Sequence, residues 1–324
     1  MSPVRAVLNH AADLDAAAAT DPQLRDPRLR AAFEQCRRLH AEHGRTYYLA
    51  TLLLPAAKRP YVWALYGFAR YADEFVDSLE HPDPQALLDW GGQFLRGLDS
   101  GDPPDPVGRA MAATMRRWRI PRVHVEAFLA SMRMDITTTG YATYADLREY
   151  MYGSASVIGL QMLPLLEPLT PEAAEPAGLL GEAFQMSNFI RDVGEDLHRG
   201  RVYLPQEDLD AHGVTREDLL AAQREGTVPG PVRDLLAFEV ARTRELYRRA
   251  EPGIAMLHPT SRDCVRTAFD LYGGILGAVE RSGYCVLDRR VSVGPARRVA
   301  VAGPALVRAV RARREQARWV SAPA

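Results

Sequence analysis

The sequence has little of what marks nucleic-acid-binding, disulfide-stapled or membrane-spanning proteins. It carries 40 basic and 41 acidic residues, so we expect no nucleic acid among its partners. Three cysteines are present and none forms a C-x-x-C pair, which favours reduced thiols and a cytoplasmic protein. Lysine is almost missing. Lys58 is the only one, and we interpret this as a coding preference for arginine.

Long apolar segments are also missing. The run at 157–166 is interrupted by Gln161 and Pro164 and falls short of the ~20 residues that a membrane helix needs. The alanine-rich stretch 1–20 contains charged residues and lacks the pattern of a signal peptide. We therefore expect at most a peripheral contact with a membrane. The arginine-rich C-terminal segment is read first as a solvated helix face and second as a contact with anionic lipid.

Strand patterns are scarce, whereas helical periodicity runs through most of the chain. The sequence predicts one all-α domain at residues 28–318, with a partly ordered extension at 1–27 and a tail at 319–324. The predicted helices lie roughly at 28–42, 45–54, 58–79, 84–98, 105–118, 121–138, 144–166, 172–198, 215–224, 231–257, 260–287 and 297–318.

Two acidic motifs, at 73–77 and 192–196, are the most informative features. Each places two aspartates four residues apart, on one face of a helix. Like charges at this spacing cost a helix roughly a few tenths of a kcal/mol, which suggests that a cation binds between them. Mg²⁺ prefers hard oxygen ligands and usually also contacts a substrate phosphate.

The second motif extends into a polar stripe. Gln185 and Asn188 precede Asp192 and Asp196 on one face, while Met186, Phe189, Ile190, Val193 and Leu197 form an apolar face. On spacing alone, an ordinary surface helix is the favoured interpretation. The neutral amides, and the donors Arg201 and Tyr203 just beyond the helix, favour instead a site for Mg²⁺ and a diphosphate.

The first motif has the same layout. Tyr66, Arg70, Asp73 and Asp77 follow one helical stripe. Taken alone, Arg70 and the aspartates would be an ordinary exposed ion pair, but two matched helices in one chain favour a shared site. His40 and His43 lack the spacing of a zinc-protease helix, so zinc is not expected.

From about residue 36 to 289 the sequence resembles the squalene/phytoene synthase family. The segments 184–196 and 201–205 carry most of the resemblance, and Tyr66-Gly67-Phe68-Ala69-Arg70-Tyr71-Ala72-Asp73-Glu74 agrees with the first family motif. Among the members, bacterial phytoene synthases look most similar. The resemblance implies an all-α isoprenoid-synthase fold, with the aspartate helices facing each other across the mouth of a central cavity.

The resemblance also implies roles for individual residues. The metal ligands would be Asp73, Asp77, Asn188, Asp192 and Asp196. The catalytic residues would be Arg70, the four aspartates and Tyr203. The substrate-binding residues would be Arg45, Thr46, Tyr66, Tyr150, Ala155, Gly159, Gln185, Asn188, Arg201, Tyr272 and Arg289. Mg²⁺, with Mn²⁺ as a substitute, is the expected cofactor, and no NADPH is expected. Gly44 stands where the family often has serine.

The implied reaction is the head-to-head condensation of two geranylgeranyl diphosphates to phytoene through a cyclopropyl (prephytoene) diphosphate. The C20 chain length rests on the overall resemblance and on the small side chain of Thr51. Three alternatives stay open: a squalene or dehydrosqualene synthase acting on farnesyl diphosphate, a terpene cyclase acting on a single diphosphate, and a non-catalytic pathway subunit. The sequence leaves the oligomeric state open.

Overall fold

The computed structural model describes residues 10–77, 83–103 and 105–320, and the regular elements in these ranges are helices. Strand pairing within them is limited to two isolated bridges, Gly140 with Val202 and Pro168 with Leu257. The side chains of residues 76, 77, 295 and 316–320 lie outside the description. The predicted all-α fold is confirmed.

The helices follow one another through short connections. In chain order they are α1 (His10–Thr20), α2 (Pro27–His43), α3 (Arg45–Thr51), α4 (Arg59–Asp77), α5 (Pro84–Ser100), α6 (Pro106–Trp118), α7 (Arg122–Thr137), α8 (Tyr144–Met151), α9 (Val157–Leu166), α10 (Ala174–His198), α11 (Gln206–Ala211), α12 (Arg216–Glu225), α13 (Gly230–Ala250), α14 (Pro259–Arg281) and α15 (Pro295–Val320). A π-helical turn, Tyr152–Ser156, joins α8 to α9.

Most predicted helices are confirmed to within a few residues, but the end of α14 was predicted wrongly. The helix ends at Arg281, because Gly283 and Tyr284 adopt φ values of 67° and 66°. The backbone N–H of Tyr284 donates to the carbonyl of Val279, and that of Gly283 to Glu280. This left-handed helix end satisfies the last carbonyls and turns the chain toward residues 286–294.

Helices α1 and α11 were not predicted. The short α11 has six residues, too few for a periodic pattern. Helix α1 is rich in alanine, so its buried and exposed faces differ little in hydrophobicity. It nevertheless packs on the rest of the protein through Leu14 and Ala17. The domain boundary proposed at residue 27 stays a prediction.

A buried ion pair fixes α1 to the segment that follows α3. Asp13 Oδ1 lies 2.9 Å from Nη1 of Arg59, and both side chains are at most 3% exposed. Arg59 also donates to the carbonyls of Leu52 (2.8 Å) and Leu54 (3.0 Å). Arg313 of α15 donates to the carbonyl of Leu53. Helices from both ends of the chain therefore hold the backbone just beyond Thr51.

The core forms two apolar clusters, and the candidate site lies where they meet. The first cluster contains the large buried side chains Trp63, Phe68, Phe94 and Phe128. The second belongs mainly to the later helices, from α8 to α14. Phe184 of α10 packs against both clusters. In the described ranges, no helix combines the length and apolarity that spanning a membrane requires.

Candidate active site

The second aspartate motif forms the C-terminal turns of α10. Asp192 accepts hydrogen bonds from the guanidinium of Arg191, with a Nε–Oδ1 distance of 2.7 Å. Nε of Arg290 lies 3.0 Å from the same oxygen. Burial lowers the pKa of Arg191, but hydrogen bonding and charge interaction with Asp192 outweigh this and raise the pKa above its ordinary value. Asp192 therefore lies between two cationic guanidinium groups, and Asp196 is buried one turn further on.

Arg290 is a candidate site residue that the sequence did not identify. It also lies 3.7 Å from Glu195. Its neighbour Arg289, the predicted substrate-binding residue, is 63% exposed and pairs instead with Asp288 at 3.4 Å. The substrate role of Arg289 stays a prediction. Two adjacent arginines look alike in sequence, and only the path of the chain after α14 selects Arg290.

The first aspartate motif ends α4. Asp73 is partly buried, whereas the side chain of Asp77, the last residue of the helix, lies outside the described part of the structure. Arg70 has a buried Nε atom without a hydrogen-bond partner among the described residues. Burial raises the pKa of Tyr66, and the charges of Tyr272 and Asp73 raise it further, while Arg70 lowers it. An anionic oxygen at this position would supply the partner that Arg70 Nε lacks.

Four aromatic side chains, Tyr47, Tyr66, Phe184 and Tyr272, connect the two aspartate helices, and we call them the aromatic wall. Tyr47 of α3 stacks on Tyr272 of α14 with ring centroids 4.4 Å apart. It also lies 6.4 Å from Tyr66 on α4 and 5.7 Å from Phe184 on α10. Tyr47 therefore contacts each of the other three rings. The structure makes it the link between the two halves of the candidate site.

The side chain of Asn188 provides a test for metal binding. Its Nδ2 donates weakly to Oε1 of Gln185 at 3.4 Å, and its Oδ1 is buried without a hydrogen-bond partner among the described residues. A buried oxygen without a donor is costly, and a hard cation would satisfy it. The described residues contain no group of three or more His, Cys, Asp or Glu side chains that could hold a metal ion. Amide and carboxylate oxygens are hard donors, which suit Mg²⁺ better than zinc, and the metal-ligand set predicted from the sequence stays a prediction.

The start of α3 places the predicted phosphate donors at the edge of the aromatic wall. Arg45 is exposed and Thr46 is partly buried. Gly44 precedes them, and a Cβ atom there would lie 2.5 Å from the ring of Tyr66. Tyr66 in turn stacks on the buried His40 at 4.2 Å. Glycine stands where the family often has serine because this packing of Tyr66 leaves no room for a side chain.

Predicted residues Tyr150, Arg201 and Tyr203 converge on Asp135, which the sequence did not single out. The Tyr150 hydroxyl donates to Asp135 Oδ2 at 2.7 Å, and the Tyr203 hydroxyl donates to Oδ1 at 3.1 Å. Nη2 of Arg201 donates to the backbone carbonyl of Asp135 at 2.8 Å. Asp135 is 8% exposed. An acidic residue within a mostly apolar helix was the only sequence signal for it.

The predicted small-residue segment allows two helices to touch. A Cβ atom on Gly159 would lie 2.1 Å from the carbonyl oxygen of Ala177, and one on Gly181 would lie 2.3 Å from that of Ala155. The π-helical turn at Tyr152–Ser156 lies beside these contacts, and such turns often mark functional sites. The small residues therefore bring α9 and α10 close together. Their role in accommodating a prenyl chain stays a prediction.

The chain is similar in sequence to a known family and to proteins with assigned names. The model of the squalene/phytoene synthase family matches residues 40–297. The chain is 36% identical to a phytoene synthase from Arthrospira platensis, over 84% of this chain and 92% of that protein. It is 37% identical to a 15-cis-phytoene synthase from Synechocystis sp., over 81% of this chain and 80% of that protein.

Solved structures with the same fold belong to related synthases. A dehydrosqualene synthase bound to a ligand superimposes with a TM-score of 0.78 and 29% identity, over 86% of this chain and 96% of that one. A squalene synthase from Alicyclobacillus acidocaldarius gives a TM-score of 0.70 and 29% identity, over 79% and 95% of the two chains.

Proposed function

The chain belongs to the squalene/phytoene synthase family, and from this premise we propose that it joins two geranylgeranyl diphosphates head to head to form phytoene. One observation carries the choice of product. Relatives that are 34–37% identical over 81–86% of this chain are named phytoene synthases. The enzyme is a prenyltransferase.

In the proposed reaction, one allylic diphosphate ionises and the double bond of the second substrate attacks the resulting cation. Loss of a proton closes a cyclopropane ring, which gives a prephytoene-type diphosphate. A second ionisation, a rearrangement and a final proton loss then give the C40 hydrocarbon. Each cation must be stabilised electrostatically and protected from water.

Asp73, Asp77, Asp192, Asp196 and Asn188 would hold Mg²⁺ beside the diphosphates. Bound Mg²⁺ would neutralise the negative charge that grows on the leaving group. Oδ1 of Asn188, which has no partner within the described ranges, supports this assignment. Asp192 would exchange part of its contact with Arg290 for the metal, because Arg290 is 53% exposed and reaches Asp192 from outside α10.

Arginines would bind the diphosphates. Nε of Arg70 is buried and has no hydrogen-bond partner among the described residues, and Arg45 is exposed at the start of α3. Arg191 and Arg290 already carry their charge at the site. Guanidinium groups match the geometry of phosphate oxygens, so we propose that Arg290, Arg70 and Arg45 divide the two diphosphates among them.

The aromatic wall would face the prenyl cations. Ring faces attract cations. Tyr47 stacks on Tyr272, and the charges of Arg191 and Asp192 act on the Tyr272 hydroxyl. Burial raises the pKa of Tyr47 well above its ordinary value and also raises that of Tyr272. These phenols therefore stay protonated at neutral pH and make poor bases, which favours released diphosphate as the proton acceptor.

A squalene or dehydrosqualene synthase is the second candidate, because the solved neighbours at 29% identity carry those names. The preference for one of two prenyl diphosphates distinguishes the two candidates. The purified protein is incubated with Mg²⁺ and either geranylgeranyl or farnesyl diphosphate, and the hydrocarbons are identified by mass. A C40 product at the higher kcat/KM supports phytoene synthesis. A preferred C30 product contradicts it, and a cyclic C20 product would show a terpene cyclase instead.

We also propose a peripheral membrane contact through α15, because the proposed product is a water-insoluble hydrocarbon. Val299 and Val307 of this helix are 71% and 53% exposed, and Arg311 and Arg314 are exposed with them. Apolar side chains beside arginines favour anionic lipid surfaces. Cosedimentation with anionic vesicles tests this proposal, and Arg311→Glu together with Arg314→Glu is expected to weaken it.

A further inference from the structure

The segment that carries Arg290 has no regular structure of its own. Residues 285–294, which we call the connecting segment, join α14 to α15 without helix or strand. The side chains of Val286 and Leu287 are buried in the second apolar cluster. Among the described residues, the backbone of 287–293 has one hydrogen-bond partner, the side chain of Gln223. Few contacts therefore determine where the segment holds Arg290.

Gln223 of α12 lies between the connecting segment and α10. Its Nε2 atom donates to the carbonyl of Leu287 at 2.7 Å and to the carbonyl of Gly194 at 2.9 Å, while Nδ1 of His198 is further away at 3.4 Å. An amide NH₂ group has two protons, and the two carbonyls use both. The reversed amide would place Oε1 against two carbonyl oxygens. The observed orientation is therefore the one that satisfies both carbonyls.

Gly194 allows the connecting segment to touch α10. A Cβ atom at this position would lie 2.0 Å from the carbonyl oxygen of Leu287 and 2.7 Å from its carbon. Glycine is less favourable than alanine inside a helix, but this close approach leaves no room for a side chain. Gly194 stands between Asp192 and Asp196, so the Leu287 carbonyl lies directly on the second aspartate motif.

This contact restricts the position of Arg290. Arg290 follows Leu287 by three residues, which span at most about 10 Å. Its Nε lies 3.0 Å from Oδ1 of Asp192, and its side chain is 53% exposed. An ion pair this exposed holds a long side chain weakly. The backbone held at Leu287 therefore contributes to keeping the guanidinium beside Asp192.

We propose that Gln223 is a positioning residue for diphosphate binding, because its amide docks the connecting segment on α10 and thereby places Arg290 beside Asp192. The proposal rests on the diphosphate site proposed above, to which it adds a residue that acts through Arg290. A donor that is already in place binds an anion more tightly than one that must be ordered on binding.

Gln223→Glu tests this role with little change in volume. An ionised carboxylate has no proton to donate, so it repels both carbonyls and should release the connecting segment. We expect the affinity for inorganic diphosphate with Mg²⁺, measured by isothermal titration calorimetry, to fall by about fivefold or more. Gln223→Lys keeps donors near both carbonyls and should stay within about twofold of the wild-type affinity. Arg224→Ala, exposed on the same helix, is the control and should match the wild-type protein.

A double-mutant cycle separates positioning from a general loss of stability. In the Arg290→Ala background, Gln223→Glu should change diphosphate affinity and kcat/KM by less than about twofold, because the guanidinium that it positions is gone. A full loss in that background would overturn the proposal, as would wild-type affinity in folded Gln223→Glu. If Gln223→Glu does not fold, Gln223→Ala takes its place with the same criteria, since it removes the two protons without adding charge.

Limited proteolysis measures the docking of the connecting segment without any substrate. Trypsin cuts after arginine, and cleavage after Arg289 or Arg290 should be faster by about fivefold or more in Gln223→Glu, because a released segment is more accessible. The fragment masses identify the bond that is cut, and an unchanged rate contradicts the proposal. If the wild-type enzyme makes no C40 product while Gln223→Glu still weakens diphosphate binding, the proposed function fails and this inference stands.

Discussion

Nε of Arg290 lies 3.0 Å from Oδ1 of Asp192, although the two residues are 98 positions apart in the chain. Arg191 holds the same carboxylate from within α10. An aspartate proposed to bind Mg²⁺ is thus neutralised by two arginines in the structure. The arrangement keeps a pair of cationic donors next to the place where a diphosphate would bind.

Replacing Arg290 should therefore impair substrate binding more than replacing Arg289, the neighbour that the family resemblance predicts. We expect Arg290→Ala to lower kcat/KM by about tenfold or more, because a charge-assisted contact to phosphate is lost. Arg289→Ala is the matched control, since its side chain is 63% exposed and pairs with Asp288. Steady-state kinetics measure kcat/KM for both variants. Equal decreases in kcat/KM would contradict the assignment of Arg290 to diphosphate binding.

Removing either aspartate motif should abolish turnover without unfolding the protein. Asp73→Ala and Asp192→Ala are each expected to lower kcat by at least about 100-fold, since electrostatic stabilisation of the leaving group supplies a large part of the rate enhancement. Far-ultraviolet circular dichroism should match that of the wild-type protein. Retained activity in either folded variant would refute the proposed metal site.

Asn188 should determine the affinity for Mg²⁺. Asn188→Ala removes Oδ1, for which the described part of the chain supplies no partner, and is expected to weaken Mg²⁺ binding in the presence of inorganic diphosphate by about tenfold. Isothermal titration calorimetry measures the change. Asn188→Asp keeps an oxygen ligand and serves as the matched variant, so we expect it to bind Mg²⁺ at least as well as Asn188→Ala. Unchanged affinity in Asn188→Ala would exclude this ligand.

Gly44 and Tyr66 should be energetically coupled. Gly44→Ser places a Cβ atom within 2.5 Å of the Tyr66 ring, and overpacking of this kind costs about 1–3 kcal/mol. Tyr66→Ala in the same chain should recover part of that loss, because the closer of the two colliding rings is gone and only Cδ2 of His40, at 2.9 Å, remains. Urea unfolding of the single and double variants measures the coupling. Additive effects would mean that the clash is relieved elsewhere.

The buried pair Asp13–Arg59 should contribute strongly to stability. Asp13→Ala leaves the guanidinium of Arg59, which is 3% exposed, without its carboxylate, and such a loss costs about 3–5 kcal/mol. Asp15→Ala is the control on the same helix, because Asp15 is 70% exposed in its pair with Arg30 and should cost less than about 1 kcal/mol. The free energy of unfolding of each variant measures the loss of stability. Similar losses for the two variants would show that the buried ion pair of α1 contributes little to stability.

The sequence by itself determined the all-α class and both aspartate pairs. Helical spacing is a local property, so the stripes that contain Asp73 and Asp192 can be read within a few turns of chain. The same locality explains the errors. The end of α14 depends on two left-handed residues, Gly283 and Tyr284, and α1 has too many alanines to show which face is buried.

Only the tertiary structure decided which residues meet. Tyr47 lies between α4 and α10, Arg290 and not Arg289 reaches Asp192, and Asp135 accepts from Tyr203 across 68 positions. Each contact depends on how helices pack, and packing is set by the whole core and not by any one segment. The chain therefore encodes its two aspartate stripes locally, while the surroundings that would make them a catalytic site arise from long-range contacts.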